Sequence, residues 1–343
     1  MSVFVSGANG FIALHIVSDL LKLGYKVIGS VRSQEKADQL HRQFKNPNLS
    51  VVIVENISNP GAFDELFLKY GKDIKVVLHT ASPFHYNTEN CERDLLNPAV
   101  NGTRNILESI KRYAFDSVER VVITSSDAAV TSFKDDTNPN NLLTEDSWNK
   151  ISWEEATRGP EEAYYGAKTF AERAAHDFWK ENQDKVKFKL STVNPVWVFG
   201  PQLFDENALG EVNTSCQYIK AIIDSKMGEK LDMDIVGGYV DVRDVSKAHM
   251  VAFQKEESIG RRLVLCAGRF TLLNIADVLC ESFPQLAGKI ASGNPDESFK
   301  RLNSLAKFDY TNTNKILDFD FIPFEKTICD TAAQMLKMEK RQL

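Results

Sequence analysis

A phenol and an ammonium stand one helical turn apart at Tyr164 and Lys168, within the run Ala163-Tyr164-Tyr165-Gly166-Ala167-Lys168-Thr169-Phe170-Ala171-Glu172. Positions four apart share one helix face. A free tyrosine has a pKa of about 10 and cannot shuttle protons near neutrality, whereas a cation held beside it favours the phenolate and draws the pKa down. A shift of ~3 units needs ~4 kcal/mol of differential stabilisation. Such a pair is a unit for proton transfer to or from oxygen. The same spacing also arises in any amphipathic helix, so its meaning depends on what else the chain carries.

A second chemistry-bearing run is Gly7-Ala8-Asn9-Gly10-Phe11-Ile12-Ala13, a Gly-x-x-Gly-x-x-Ala turn between a β-branched segment and an apolar helical one. The glycines permit a tight turn and close backbone approach, so that amides at a helix start can receive a pyrophosphate; Gly7, Asn9, Gly10, Phe11 and Ile12 are the candidate contacts. The next strand ends Gly29-Ser30-Val31-Arg32, with Lys36 a turn further on. No acid ends that strand to take a ribose 2'-hydroxyl, whereas Arg32 and Lys36 suit a 2'-phosphate, which points to NADPH. Asn56 and Ile57 fall where an adenine is cradled, and Thr80, Ala81 and Ser82 where a strand end would line the cofactor. Ser126 closes Thr124-Ser125-Ser126 at another strand end and is placed to donate a hydrogen bond to a substrate carbonyl. No Gly-x-Ser-x-Gly elbow surrounds these serines, which argues against a serine hydrolase. The six histidines lack metal-ligand spacing, so no metal is expected.

Six short β-branched runs are spaced to hold these groups: Val3 to Ser6, Lys26 to Val31, Ser50 to Glu55, Lys75 to His79, Arg120 to Thr124 and Lys187 to Val193. Between them lie helical stretches near Phe11 to Leu23, Gln34 to Phe44, Gly61 to Tyr70, Cys91 to Tyr113 and Glu161 to Glu181. That alternation specifies an α/β fold, a Rossmann doubly wound parallel sheet with helices on both faces. After Pro195 the rhythm weakens into a loop-rich stretch to Gly238, with a helical tail from Phe324. Residues 1–194, joined by later elements from about 235–265, are read as the NADPH-binding domain; 195–234 and 266–343 form a smaller C-terminal substrate-binding lobe. With 343 residues, 43% of them hydrophobic and 26% charged, the chain can build a large core. A net charge of -6 argues against nucleic-acid or anionic-membrane binding. The five scattered cysteines suit reduced thiols in the cytoplasm, and the start at Met1-Ser2-Val3-Phe4-Val5 lacks the pattern of a signal segment.

Taken together, the glycine turn, Ser126 and Tyr164-x-x-x-Lys168 resemble the extended short-chain dehydrogenase/reductase family. Asn194-Pro195-Val196-Trp197-Val198-Phe199-Gly200-Pro201 and Tyr239-Val240-Asp241-Val242-Arg243-Asp244-Val245-Ser246-Lys247-Ala248-His249 are similar to its dihydroflavonol-reductase-like branch, and the opening from Met1 to Ile12 resembles that of the yeast methylglyoxal and 3-methylbutanal reductases within it. The resemblance implies NADPH-dependent reduction of apolar aldehydes and ketones, an alcohol dehydrogenase reaction run toward the alcohol, by a monomer or homodimer. In it Tyr164 donates the proton, Ser126 orients the oxygen, and Lys168 holds the ribose and lowers the Tyr164 pKa. It also implies that Pro195 and Val198 flank the nicotinamide, that Ser215 reaches the cofactor, and that Phe84 and Trp197 wall the substrate pocket. Tyr165 precedes Thr169 by four, not a lysine, and is expected to pack. Asp127 departs from the aromatic residue expected after Ser126; a carboxylate there would raise the Tyr164 pKa and repel anions. A nucleotide-sugar epimerase or dehydratase and a non-catalytic NADPH-binding regulator are the alternatives. Asn194 in place of an arginine, Thr124-Ser125-Ser126 in place of Thr-Asp-Glu, and an intact Ser/Tyr/Lys set weigh against them.

Overall fold

A computed structural model describes residues 1–82, 88–210, 212–232 and 234–340. Phe84 lies outside the described residues. Twelve strands are present among them: β1 (Ser2–Ser6), β2 (Lys26–Val31), β3 (Leu49–Ile53), β4 (Ile74–His79), β5 (Arg120–Thr124), β6 (Leu142–Thr144), β7 (Lys189–Pro195), β8 (Trp197–Phe199), β9 (Val236–Asp241), β10 (Arg262–Leu265), β11 (Gly268–Thr271) and β12 (Lys307–Asp309). Seven of them form one sheet in the order β10-β7-β5-β4-β1-β2-β3, and every neighbouring pair is parallel. The chain starts at β1 in the middle, runs outward through β2 to β3, and returns to β4 on the other side of β1. That reversal leaves a crevice at the carboxyl ends of β1 and β4, where open α/β sheets bind ligands.

Successive side chains of a strand point to opposite faces, so a strand covered on both sides must be apolar throughout. All of β1 is buried. Val3 and Val5 join Leu14, Ile16 and Leu20 of helix Phe11–Lys22 and Val245, Ala248 and Phe253 of helix Val242–Gln254. Phe4 faces the other way, onto Phe63, Phe67, Ile106, Ile110 and Phe178, which helices Asp64–Tyr70, Asn97–Tyr113 and Pro160–Glu181 bring with the loop before them. Each such side chain contributes roughly 1.5–3 kcal/mol on burial. A three-stranded sheet, β11-β9-β8, packs with helices Thr214–Asp224, Leu272–Ser282 and Phe324–Lys340 around Phe199, Ile219, Phe270, Ile275 and Ile328. A parallel ribbon of β6 and β12 completes the strands.

Two elements differ from the sequence reading. The stretch from Pro195 to Gly238, read as loop-rich, contains helix Thr214–Asp224 with Cys216, Ile219, Ile222 and Ile223 buried; its first residue follows Asn213, which makes no side-chain cap, so the start signal is weak. The single helix expected from Cys91 to Tyr113 opens as a π turn, Glu92–Leu96, before the α-helix begins at Asn97. Pro98 has no N–H with which to carry an α ladder back through that turn. Among the described residues no helix is long and apolar enough to cross a membrane, and no cluster of His, Cys, Asp or Glu could hold a metal ion.

Candidate active site

β1 delivers Gly7 into a turn at φ +64°, a conformation that costs glycine little. A Cβ at Gly7 would lie 3.0 Å from the Ala81 Cα, so the segment after β4 closes directly on the turn. The Ala8 amide donates to the Ser30 carbonyl at 2.8 Å, and the Gly10 amide to the Gly7 carbonyl at 2.9 Å. Helix Phe11–Lys22 then starts at Gly10 without a side-chain cap. Its first amides remain open to an acceptor, and a helix start favours an anion. Asn9, Phe11 and Ile12 are part-buried around this turn. After β4, the Ser6 hydroxyl oxygen accepts the amides of Thr80 and Ala81, both at 3.0 Å, which directs its own proton to His79 Nδ1 at 2.8 Å. The Thr80 hydroxyl donates back to the Ser6 carbonyl. Thr80 and Ala81 are thus pinned beside Gly7, with part-buried Ser82 following.

At the end of β2, Arg32 is exposed, and among the described residues it enters no hydrogen bond or ion pair. Ser33 caps helix Gln34–Phe44, placing Lys36 in its first turn, where the ammonium reaches Gln39 Oε1 at 3.3 Å. Asn56 is exposed, its Oδ1 taken by the Ser58 amide and hydroxyl at 2.9 and 2.7 Å. Ile57 lies against Gly102, and its carbonyl is held by Asn105 at 2.9 Å.

Ser126 follows β5 and caps a short 3₁₀ turn, Asp127–Ala129, by accepting the Ala128 amide at 3.1 Å. Its Oγ lies 3.1 Å from the Tyr164 hydroxyl. Tyr164 and Lys168 ride on helix Pro160–Glu181, which opens with Pro160, Glu161 and Glu162, residues suited to the positive end of a helix. Ala163, Ala167, Ala174 and Phe178 bury its inner side. Gly166 sets how closely the helix seats, since a Cβ there would come within 2.3 Å of Ala156 Cβ and 3.0 Å of Leu96. Burial lowers the Lys168 ammonium to about 8, against the pull of Glu172 one turn on. Burial and Lys168 together hold His79 at about 3, hence neutral.

The phenol does not behave as the sequence suggests. Burial pushes the Tyr164 pKa up, the Ser126 hydrogen bond draws it down, and Asp127 adds a further push upward. Desolvation of the phenolate outweighs any help from Lys168, so the hydroxyl keeps its proton. Tyr165 packs edge-on to Tyr164, ring centres 6.1 Å apart, and burial raises its pKa as well. Asp127 is part-buried, with Oδ1 enclosed and without a hydrogen-bond partner among the described residues. Burial and the neighbouring Asp136 raise it to about 8, with Arg262 opposing.

Beneath Ser126 lies a charged cluster that sequence reading passes over. Glu172 is fully enclosed and paired with the almost fully enclosed Arg262. Its carboxylate also accepts the Ser125 hydroxyl, the Asn194 amide at 2.6 Å and the Thr192 hydroxyl at 3.3 Å. Burial alone would raise its pKa, but His176, Arg262 and Ser125 hold it at about 2. Arg262 further donates to the carbonyls of Ala129 at 3.1 Å and Glu145 at 3.0 Å, and lies 3.8 Å over the Trp148 ring. The signal for Glu172 was present, four residues past Lys168 on the same face; Arg262 opens an apolar strand and gives none.

The remaining candidates sit on β7, β8 and helix Thr214–Asp224. Pro195 ends β7, Val198 is buried in β8, and part-buried Ser215 stands in the first turn of helix Thr214–Asp224. Trp197, part-buried, packs edge-on against Tyr218 and Phe270, 5.6 and 5.8 Å between ring centres, beside the apolar cluster around the three-stranded sheet.

Residues 3–266 match the model of the NAD dependent epimerase/dehydratase family. The chain is 52% identical to the NADPH-dependent methylglyoxal reductase of Saccharomyces cerevisiae, covering 99% of this chain and all of that protein. It is 43% identical to a putative NADPH-dependent methylglyoxal reductase of Candida albicans, with 98% of each covered. Its fold superposes on the crystal structure of the yeast methylglyoxal/isovaleraldehyde reductase complexed with NADPH, with a TM-score of 0.96 over 99% of this chain and 100% of the other.

Proposed function

The chain belongs to the NAD dependent epimerase/dehydratase family of extended short-chain dehydrogenases/reductases, and from that premise we propose that it is an NADPH-dependent reductase of aldehydes and ketones, an alcohol dehydrogenase working toward the alcohol. The observation that carries this reading is the 3.1 Å approach of Ser126 Oγ to the Tyr164 hydroxyl, with Lys168 one turn along the same helix. NADPH, when bound, supplies the hydride that reduces the carbonyl carbon. The uncapped helix start, the close approach at Gly7 and the unpaired Arg32 fit that cofactor. Gly7, Asn9, Gly10, Phe11 and Ile12 would hold its pyrophosphate, and Arg32 and Lys36 its 2'-phosphate. Asn56 and Ile57 would receive the adenine, and Thr80, Ala81, Ser82, Pro195, Val198 and Ser215 the remainder.

Tyr164 gives its proton to the carbonyl oxygen as negative charge builds there. A raised phenol pKa suits this duty, because an alkoxide is a far stronger base and the proton must stay on Tyr164 until it forms. The Ser126 oxygen accepts the Ala128 amide, and its hydroxyl proton can turn from Tyr164 to the same substrate oxygen. Lys168 holds the ribose and offsets the tyrosinate left after transfer, which regains its proton from solvent. Asp127 and Trp197, with Phe84, would shape a pocket for apolar carbonyls such as methylglyoxal and 3-methylbutanal, in keeping with the names of the yeast relatives. We take 1–194 with 235–265 as the cofactor lobe and the rest as the substrate lobe. The five free cysteines suit a reducing cytoplasm, where the enzyme would act as a monomer or homodimer. The test is a panel of aldehydes and ketones followed by NADPH absorbance. Turnover with apolar members is expected, and its absence across the panel sinks the assignment.

A further inference from the structure

Resting on the catalytic reading above, we propose that Glu172 is a positioning residue for both halves of the site: it fixes Ser126 through Asn194 and sets its own carboxylate one helical turn from the buried Lys168. Stability gives no reason for a fully enclosed Glu–Arg pair here, since well-packed apolar groups of similar volume often serve as well or better. The hydrogen bonds give one. Asn194 spends its side-chain amide on two acceptors, the Ser126 carbonyl at 3.1 Å and Glu172 Oε2 at 2.6 Å. The Ser125 hydroxyl ends on the same carboxylate. Both residues that follow β5 are therefore tied to Glu172, one directly and one through a single amide. Lys168 stands one turn before Glu172 on the same helix, and the Glu172 charge favours the ammonium that burial opposes. The other groups around Lys168 do little in that respect: His79 at the end of β4 is neutral and Tyr164 keeps its proton. Asp127, on the turn after Ser126, bears on Tyr164.

Two experiments separate this role from a purely structural one. The first replaces Asn194 by Ala in wild-type and in Ser126→Ala backgrounds. In the wild-type background kcat is expected to fall ~10- to 30-fold with KM and NADPH affinity within ~3-fold; in the Ser126→Ala background the further loss shrinks below ~2-fold, because the two act as one unit. Equal losses in both backgrounds overturn the Ser126 half. The second removes both buried charges, Glu172→Gln with Arg262→Met, so that neither is left alone. The alkaline limb of the kcat profile, and the Lys168 titration followed by NMR in cofactor-free protein, are expected to move down by about one pH unit. An unmoved titration overturns the Lys168 half. Glu172→Asp keeps the charge and shortens the reach, so it is expected to hold the limb in place while losing kcat as Asn194→Ala does. It serves as the second variant if the charge-free pair does not fold, and a shifted limb in it counts against the proposal. If wild-type protein reduces no carbonyl with NADPH, the functional reading has failed instead, and the Lys168 titration still judges the positioning role.

Discussion

The hydroxyls of Ser126 and Tyr164 meet at 3.1 Å although 38 residues separate them in the chain. One is held at a strand end by the Ala128 amide, the other on a helix whose depth is set by Gly166. Neither element alone could place an oxygen atom between them.

Removing the phenol hydroxyl with Tyr164→Phe is expected to lower kcat by about 10²–10⁴-fold, the range for a positioned acid. NADPH binding, followed by fluorescence titration, should hold within ~3-fold. A variant that keeps most of its turnover would mean that another group supplies the proton.

Arg32→Ala with Lys36→Ala should raise the KM for NADPH about 100-fold or more and leave that for NADH nearly unchanged, each lost charged hydrogen bond contributing ~1.5 kcal/mol or more. Initial rates with the two cofactors give the ratio. Parallel losses for both would show that these cations do not read the 2'-phosphate.

Gly166→Ala introduces a methyl where Ala156 Cβ would be 2.3 Å away. Overpacking of this kind costs about 1–3 kcal/mol, and a helix displaced to relieve it carries Tyr164 with it. Urea denaturation should show the lost stability, and kcat should fall more than KM rises. Full stability with full activity would argue that the helix contact is looser than described.

Asp127 has a folded pKa of about 8 and Asp136 of about 6, both above the ordinary carboxyl value. Between their unfolded and folded values the native state binds more protons, so stability is greatest in acid below the unfolded pKa and is lost as pH rises through the folded one. Lys168, lowered to about 8, acts in the opposite sense only above that pH. From pH 5 to 7.5, Asp127→Asn should therefore lose less stability than wild type, by about 3 kcal/mol. Denaturation curves at the two pH values with the same slope for both proteins would remove Asp127 from this account.

The sheet and the Ser126, Tyr164 and Lys168 set were legible because each rests on local pattern. β2 and β5 end where their β-branched runs end, and Tyr164 is told from Tyr165 by what stands four residues on. The hidden parts depend on distant contacts. Arg262 meets Glu172 across 90 residues, and no periodicity announces an arginine at the head of Leu263-Val264-Leu265. The phenol pKa was misread for a related reason: spacing revealed the cation, but burial is a property of the whole fold. Helix Thr214–Asp224 escaped notice because its start carries no side-chain cap, although Cys216, Ile219 and Ile223 kept a helical rhythm.

β10 brings a consequence for the order in which the molecule can be made. It completes the edge of the main sheet beside β7, yet it leaves the ribosome after β8 and β9 of the three-stranded sheet and helix Thr214–Asp224. A nascent chain short of residue 262 has an open strand edge at β7 and, within it, a Glu172 carboxylate with no guanidinium to face. The two sheets therefore cannot mature in sequence from the N-terminus. The seven-stranded sheet reaches its final form only when β8, β9 and helix Thr214–Asp224 have already been synthesised, and a fragment cut at residue 194 is expected to aggregate at that edge where the full chain remains dispersed.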